Sequence, residues 1–295
     1  MLRNCYKKDR EVLAMDAVEW LISSDAVFEG SVFTGIPDMY DVYDFVSTKE
    51  IGIAQRAIDY QNWYMTVVEA IFQRLATGQC AIFSQTDAKV IDREGNVLCW
   101  IDKSHLCSVA AEKYGCRLLW HKIALNSDAE VSSHRPCYTH LVAYGRNFTY
   151  RTQLFRTPDV IDRGLMTWQK ATGLEACILC ISFIKYIVGA HKVINPFCGW
   201  GTVLAVANCF GLAALGIEVL PKRARRAMTR NLREIIDRIP AEKLIKLGVQ
   251  CNEGLDGVVS ELKEDILLEN MDSEQYSDVD DIGMEDIYRE NKPYS

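Results

Sequence analysis

The sequence predicts a doubly wound, mostly parallel α/β sheet. Three observations carry that expectation. Apolar, strand-like runs alternate with segments of helical periodicity along most of the chain. An apolar run at residues 193–194 passes through Gly199 and Gly201 into an apolar helix start at residues 202–209. A further strand, residues 212–219, then carries an acid, Glu218, near its end. A strand, a glycine turn and a helix N-terminus let a ligand approach the backbone, with the free N–H groups of the first helical turn facing it. In nucleotide-binding sheets an acid at the end of the next strand accepts hydrogen bonds from ribose hydroxyls.

Taken in order, residues 9–23 have apolar positions at Val12, Leu13, Ala17, Leu21 and Ile22 and read as a short helix. Residues 27–34 form a strand that ends in Thr34-Gly35-Ile36-Pro37-Asp38. Residues 59–75 are a long helix stopped by Gly78. Residues 80–83 are a buried strand running into Asp87, and residues 92–96 are the turn of a small hairpin. Residues 103–114 are a helix closed by Gly115. Residues 117–125 and 138–144 are strands joined by a polar loop. Residues 173–188 are a helix leading into the strand at Val193. Residues 221–239 are a single helix with Pro221 in its first turn, and residues 244–249 are a last short apolar segment.

The chain has 295 residues, 49% of them hydrophobic, enough to bury a sizeable core. Mean hydropathy is −0.05. No apolar run reaches the ~18 residues that span a membrane. Residues 1–10 are charged and polar, without the apolar core of an export signal, so an intracellular protein, cytoplasmic or nuclear, is expected. The eleven cysteines then read as reduced thiols, and Cys177-Ile-Leu-Cys180 as core packing; no metal site is expected. Residues 263–295 hold eleven acids and three bases, a charge of −8, so that of the chain's −7 the first 262 residues carry +1. The expected organisation is one α/β domain over residues 1–262 and a disordered acidic tail over 263–295.

The run Asn195-Pro196-Phe197-Cys198-Gly199-Trp200-Gly201-Thr202, followed by Gly216-Ile217-Glu218, resembles the S-adenosylmethionine (SAM) site of the amino-methyltransferases that act on DNA and RNA. Those read Asp-Pro-Phe-x-Gly-x-Gly-Thr and Gly-Ile-Glu. The nicotinamide pattern is not matched, because Leu204 stands where its third glycine would be. Asn195 keeps the acceptor of the family's aspartate and loses its charge. The resemblance spans roughly residues 27–233 and implies a class I, Rossmann-like fold in the permuted motif order, with the catalytic loop ahead of the cofactor cradle. It implies that Asn195, Pro196, Phe197, Gly199, Gly201, Thr202 and Glu218 hold SAM. Thr34 and Trp168 would be neighbours, the latter in Trp168-Gln-Lys-Ala-Thr-Gly173, which resembles the family's lead-in.

The family's catalytic loop reads Asp/Asn/Ser-Pro-Pro-aromatic, its first residue accepting from the target amino group and its aromatic stacking on a flipped base. Here it is Gly35-Ile36-Pro37-Asp38: no side chain at Gly35 and an acid in the aromatic's place. Gly35, Pro37 and Asp38 are the candidate catalytic residues. Asp38 is either a general base or hydrogen-bond acceptor, or the N-cap of a following turn. Asp87, at the end of its strand, is a further candidate or a loop cap. The helix opening at Asp102 and Lys103 offers Lys103 to a substrate. His121 is either catalytic or a satisfied core histidine, with Trp120 and Lys122 on the opposite face. The loop around Arg135 gathers Tyr138 and His140, and Arg135 suits a phosphate or carboxylate. Lys222, Arg226, Arg230 and Arg233 share one face of the expected last helix, a nucleic-acid surface or a solvated one.

The expected function is methyl transfer from SAM to a nucleic-acid base. RNA is slightly favoured over DNA because no large target-recognition insert is visible. Two other readings stay open: a catalytically silent subunit binding RNA or a partner protein, and a methyltransferase of small molecules or proteins. A protein partner or a homodimer is compatible with each, and no membrane is expected.

Overall fold

Residues 10–43, 52–126 and 136–250 are described in the computed structural model, all within the compact unit Leu2–Gln250. Arg135, the expected domain boundary at residue 262 and the expected tail at 263–295 lie outside the described residues. In chain order the first elements are β1 (Arg10–Leu13), α1 (Ala17–Ile22), β2 (Ser31–Thr34), α2 (Met39–Tyr43), α3 (Ile53–Arg74) and β3 (Cys80–Gln85). A hairpin, β4 (Ala88–Ile91) and β5 (Val97–Ile101), leads to α4 (Lys103–Lys113), β6 (Cys116–Leu125), β7 (Tyr138–Arg146) and β8 (Val160–Asp162). The last third holds α5 (Leu174–Ser182), β9 (Lys192–Asn195), α6 (Thr202–Cys209), β10 (Ala213–Ile217), α7 (Pro221–Thr229), α8 (Arg233–Ile236) and α9 (Ala241–Lys246).

Eight strands make one sheet in the order β1-β10-β9-β2-β3-β7-β6-β8. Only the pairs that involve β7 are antiparallel, so seven strands run one way and β7 runs back. Successive strand residues alternate between two apolar clusters. Phe33, Ile82, Ala143 and Val193 join α5, α6 and α8 in one; Val32, Phe83, Val142 and Ile194 join α1, α3 and α4 in the other. Since neighbouring side chains of a strand point to opposite faces, the two clusters cover the two faces of the sheet. That is the doubly wound architecture the alternation predicts. The connection from β9 passes through α6 on one face, and that from β2 passes through α3 on the other. A crevice therefore opens between the carboxyl ends of β9 and β2, at Asn195 and Thr34, where such sheets bind ligands.

The structure corrects several expectations. The helix expected over 9–23 is the edge strand β1 followed by α1. Asp16, extended at φ −68° and ψ 131°, separates them and caps α1 by accepting from the Glu19 amide at 2.9 Å. The helix expected over 221–239 is broken into α7 and α8. Arg230 is extended (ψ 130°), and the Arg10 guanidinium donates to the carbonyls of Ala227 at 2.9 Å and Arg230 at 2.7 Å. The four basic residues therefore do not share one helical face. The helix expected over 173–188 is α-helical to Ser182 and continues as π-helical turns over Phe183–Val188. The edge strand β8 has no counterpart in the sequence expectation. Among the described residues no helix is long and apolar enough to cross a membrane.

Candidate active site

The glycine turn between β9 and α6 is shaped by close packing. Gly199 and Gly201 have φ of 55° and 80°, in the left-handed region. A Cβ on Gly199 would stand 2.7 Å from the Trp168 ring, and one on Gly201 would stand 2.7 Å from the Ala227 Cα. The amides of Gly199 and Trp200 donate to no group among the described residues. Asn195 is buried, and its Oδ1 accepts from the Thr34 hydroxyl at 2.9 Å and the Phe197 amide at 3.1 Å. That pair ties the end of β9 to the end of β2. Glu218, just past β10, is also buried, yet its side chain makes one hydrogen bond among the described residues, to the Leu220 amide at 3.0 Å. Its other oxygen is not among the buried unpartnered atoms, so it lies open to a further donor.

The lead-in segment at residues 165–173 lies over this turn. Thr167 and Thr202 share a hydrogen bond at 2.7 Å, and Arg230 donates to the Thr167 carbonyl at 2.9 Å. Trp168 stacks on Trp200 with centroids 5.4 Å apart and planes 8° from parallel. The Arg226 guanidinium sits 4.0 Å from the Trp200 centroid, and Arg223 lies 5.8 Å from that of Trp168. Lys170 pairs with Asp41 of α2, so the segment spans from the glycine turn to the loop after β2.

In that loop Gly35 has an ordinary φ, and its side-chain direction is tight: a Cβ would stand 3.2 Å from the Ser84 carbonyl of β3. Ile36 is buried in the core, and the Pro37 carbonyl accepts from the Tyr60 hydroxyl at 2.8 Å. Burial, aided by Asp38, pushes the Tyr60 phenol well above its ordinary range, so it stays a neutral donor. Asp38 stands just ahead of α2, where its carbonyl accepts the Val42 amide at 3.0 Å, and its carboxylate pairs with the Lys103 ammonium. Lys103, the first residue of α4, is only 1% exposed. Its amide donates to Asp87 Oδ1 at 3.2 Å. Asp87 Oδ2 accepts from the Tyr138 hydroxyl at 3.1 Å and meets His140 Nε2 at 3.0 Å. His140 Nδ1 in turn meets His121 Nε2 at 2.8 Å. Burial pushes the Asp87 carboxyl up, but these bonds and the His140 charge bring it below its ordinary value. Burial and His140 push the His121 imidazole below its own.

The structure thus gathers Thr34, Asn195, Pro196, Phe197, Gly199, Gly201, Thr202, Trp168 and Glu218 around one crevice. Gly35, Pro37 and Asp38 line its β2 side. Asp87 and Lys103 join that side through Asp38, and His121 stands two hydrogen bonds farther out. Arg226 and Arg230 brace the lead-in. Among the described residues no group of three or more His, Cys, Asp or Glu is placed to hold a metal ion. Cys177 and Cys180 are buried thiols in the core, as their helical setting predicts.

Sequence reasoning missed Trp63 of α3, whose ring packs edge-on against Phe197 at 6.2 Å and beside Tyr60 at 5.8 Å. Its spacing of three from Tyr60 is the helical signal that marks a shared face. Trp200 was legible as the residue between the two glycines. Asp41 and Lys170, 129 positions apart, carry no local signal.

Neither a family model nor a curated protein sequence matches the chain. Solved structures do match. TTHA0409 of Thermus thermophilus, assigned as a DNA modification methylase and solved with S-adenosyl-L-methionine, aligns over 77% of this chain and 94% of its own. Its identity is 19% and the TM-score 0.56. The PvuII DNA methyltransferase, cytosine-N4-specific, aligns over 82% of this chain and 92% of its own, at 12% identity and a TM-score of 0.53. The chain therefore has the fold of these methylases, nearly across their full length.

Proposed function

We propose that the protein is a SAM-dependent methyltransferase whose acceptor is a nitrogen of a nucleic-acid base. The observation that carries the proposal is the Glu218 carboxylate with one oxygen left without a partner among the described residues, one strand from a glycine turn whose Gly199 and Trp200 amides are likewise free among them. These groups fit the cofactor: an acid for its ribose hydroxyls and backbone donors for its carboxylate. Asn195, Phe197, Gly199, Gly201, Thr202 and Glu218 would hold it, with Thr34 and Trp168 alongside. SAM supplies an electrophilic methyl group. The chain's own contribution is to hold the acceptor nitrogen in line with that group and to keep water away. Asp38, ion-paired and partly exposed, accepts a hydrogen bond from the acceptor N–H and keeps its lone pair aimed at the cofactor.

The names of the similar structures favour DNA as the substrate, whereas the lack of a large insert favours RNA. Methyl transfer from labelled SAM to both, side by side, decides between them. Calorimetric titration tests the cofactor: micromolar binding is expected for the wild type, and its loss in Gly199→Val and Glu218→Ala. Absence of binding by the wild type refutes the proposal. A silent subunit is the second reading, favoured by the missing acceptor side chain at Gly35. Cofactor binding without transfer to nucleic acid, protein or small-molecule acceptors would make it the leading one.

A further inference from the structure

Asp87, His140, His121, Lys103 and Asp38 form a connected chain of polar contacts that the cofactor cradle does not use. We propose that Asp87, His140 and His121 are positioning residues that fix the first turn of α4 and, through the Lys103 ammonium, fix the Asp38 carboxylate at the mouth of the crevice. The inference rests on the methyltransferase reading, because it gives Asp38 its task.

Lys103 is an unusual residue for its place. A cation at a helix N-terminus opposes the helix dipole, and a buried ammonium needs a matched partner. Asp38 supplies the charge. The placement comes from Asp87, whose carboxylate accepts the Lys103 amide and so satisfies a free donor of the helix start. Asp102 accepts from the His105 amide at 2.9 Å and completes the cap. Asp87 is held by Tyr138 and His140, and His140 is held by His121. Were the arm a plain core contact, apolar residues would serve as well. Instead it ends at the exposed face of β6 in a histidine.

The two histidines set its response to protons. Their mutual contact holds one hydrogen. His140 Nε2 gives its hydrogen to Asp87, so His140 Nδ1 either accepts from His121 or, as the imidazolium, donates to it. A second proton leaves two N–H groups facing each other, and the contact breaks. Among the described residues the titratable groups around the pair are Asp87, Asp102, Tyr138, Cys137 and Lys103. With His121 held below the ordinary histidine value of about 6.5, the arm is intact at neutral pH and is lost as the pH falls below that value.

The test compares the full chain with His140→Ala and His140→Gln, since glutamine keeps a donor to Asp87 but cannot take a proton. In His140→Ala, kcat for methyl transfer is expected to fall about tenfold with SAM affinity within about twofold. Amide hydrogen exchange in the first turn of α4, followed at about pH 7.5, is expected to rise about tenfold, while β9 and α6 keep their protection. His140→Gln restores both and moves the acid limb of kcat to lower pH. Unchanged exchange in His140→Ala, no recovery in His140→Gln, or an unmoved acid limb would each overturn the proposal. If the wild type neither binds SAM nor transfers methyl, the functional reading falls, and the exchange measurement alone still decides whether the arm fixes α4.

Discussion

Two residues divide the binding side of the crevice from its chemical side. Glu218 binds: Glu218→Gln keeps an acceptor for the Leu220 amide and removes the charge, so SAM affinity is expected to fall about tenfold or more while folding stability changes by less than about 1 kcal/mol. Calorimetry beside thermal denaturation reads both. Gly35 belongs to the chemical side. Gly35→Ser restores a polar side chain of the kind the resembling family carries there, but its Cβ meets the Ser84 carbonyl at 3.2 Å. A loss of about 1–3 kcal/mol in stability is expected, measured by denaturant unfolding. Gain of activity at no cost in stability would mean that β2 and β3 yield at this point. Asp38 was legible in the sequence as a candidate by its position alone. Its partner was not, because Lys103 lies 65 positions away and is brought there by the hairpin of β4 and β5.

Among the elements, local patterns marked those whose periodicity is strong and whose ends carry their own signals. The glycine turn and the hairpin over residues 92–96 are of this kind, whereas α3 was legible in its body and C-terminal end but begins at Ile53, six residues ahead of the expected start, because Gly52 gives it no side-chain cap. Elements shaped from afar were misread. β1 has four residues and only half-buried apolar positions, so its Val12 and Leu13 merge with the helical spacing of α1. The break between α7 and α8 depends on Arg10, 217 positions from the carbonyl it takes at Ala227. Arg10 also bonds Asn208 Oδ1 at 2.6 Å, so one side chain joins β1, α6 and the end of α7. Arg10→Ala leaves these acceptors without it and is expected to cost about 2–4 kcal/mol, read from urea unfolding. Exchange protection is expected to fall first in α7. The pairing of His121 with His140 hangs on the register of β6 against β7, which shifts between Leu118 and Trp120. Counting residues in the sequence cannot supply that shift.

On the scale of the whole molecule, the order of the sheet and the order of the chain disagree, and the crevice lies where they disagree most. β9 stands between β10 and β2, yet 161 positions separate Asn195 from Thr34. The fold class was legible because alternation and a glycine turn are local; the strand order was not, since it is a property of pairings between distant segments. The consequence concerns biogenesis. While the chain is being synthesised, β2 and β3 emerge long before the strand that closes them, and β1 waits for β10. Until then β2, every residue of which is buried in the finished fold, offers an open edge of the kind that captures stray strands. A chain ending at Gly189 is expected to aggregate on expression where the full chain stays dispersed, as sedimentation of the two would show. The crevice is thus completed only when the last strands insert, so that competence to bind a ligand there reports a finished fold.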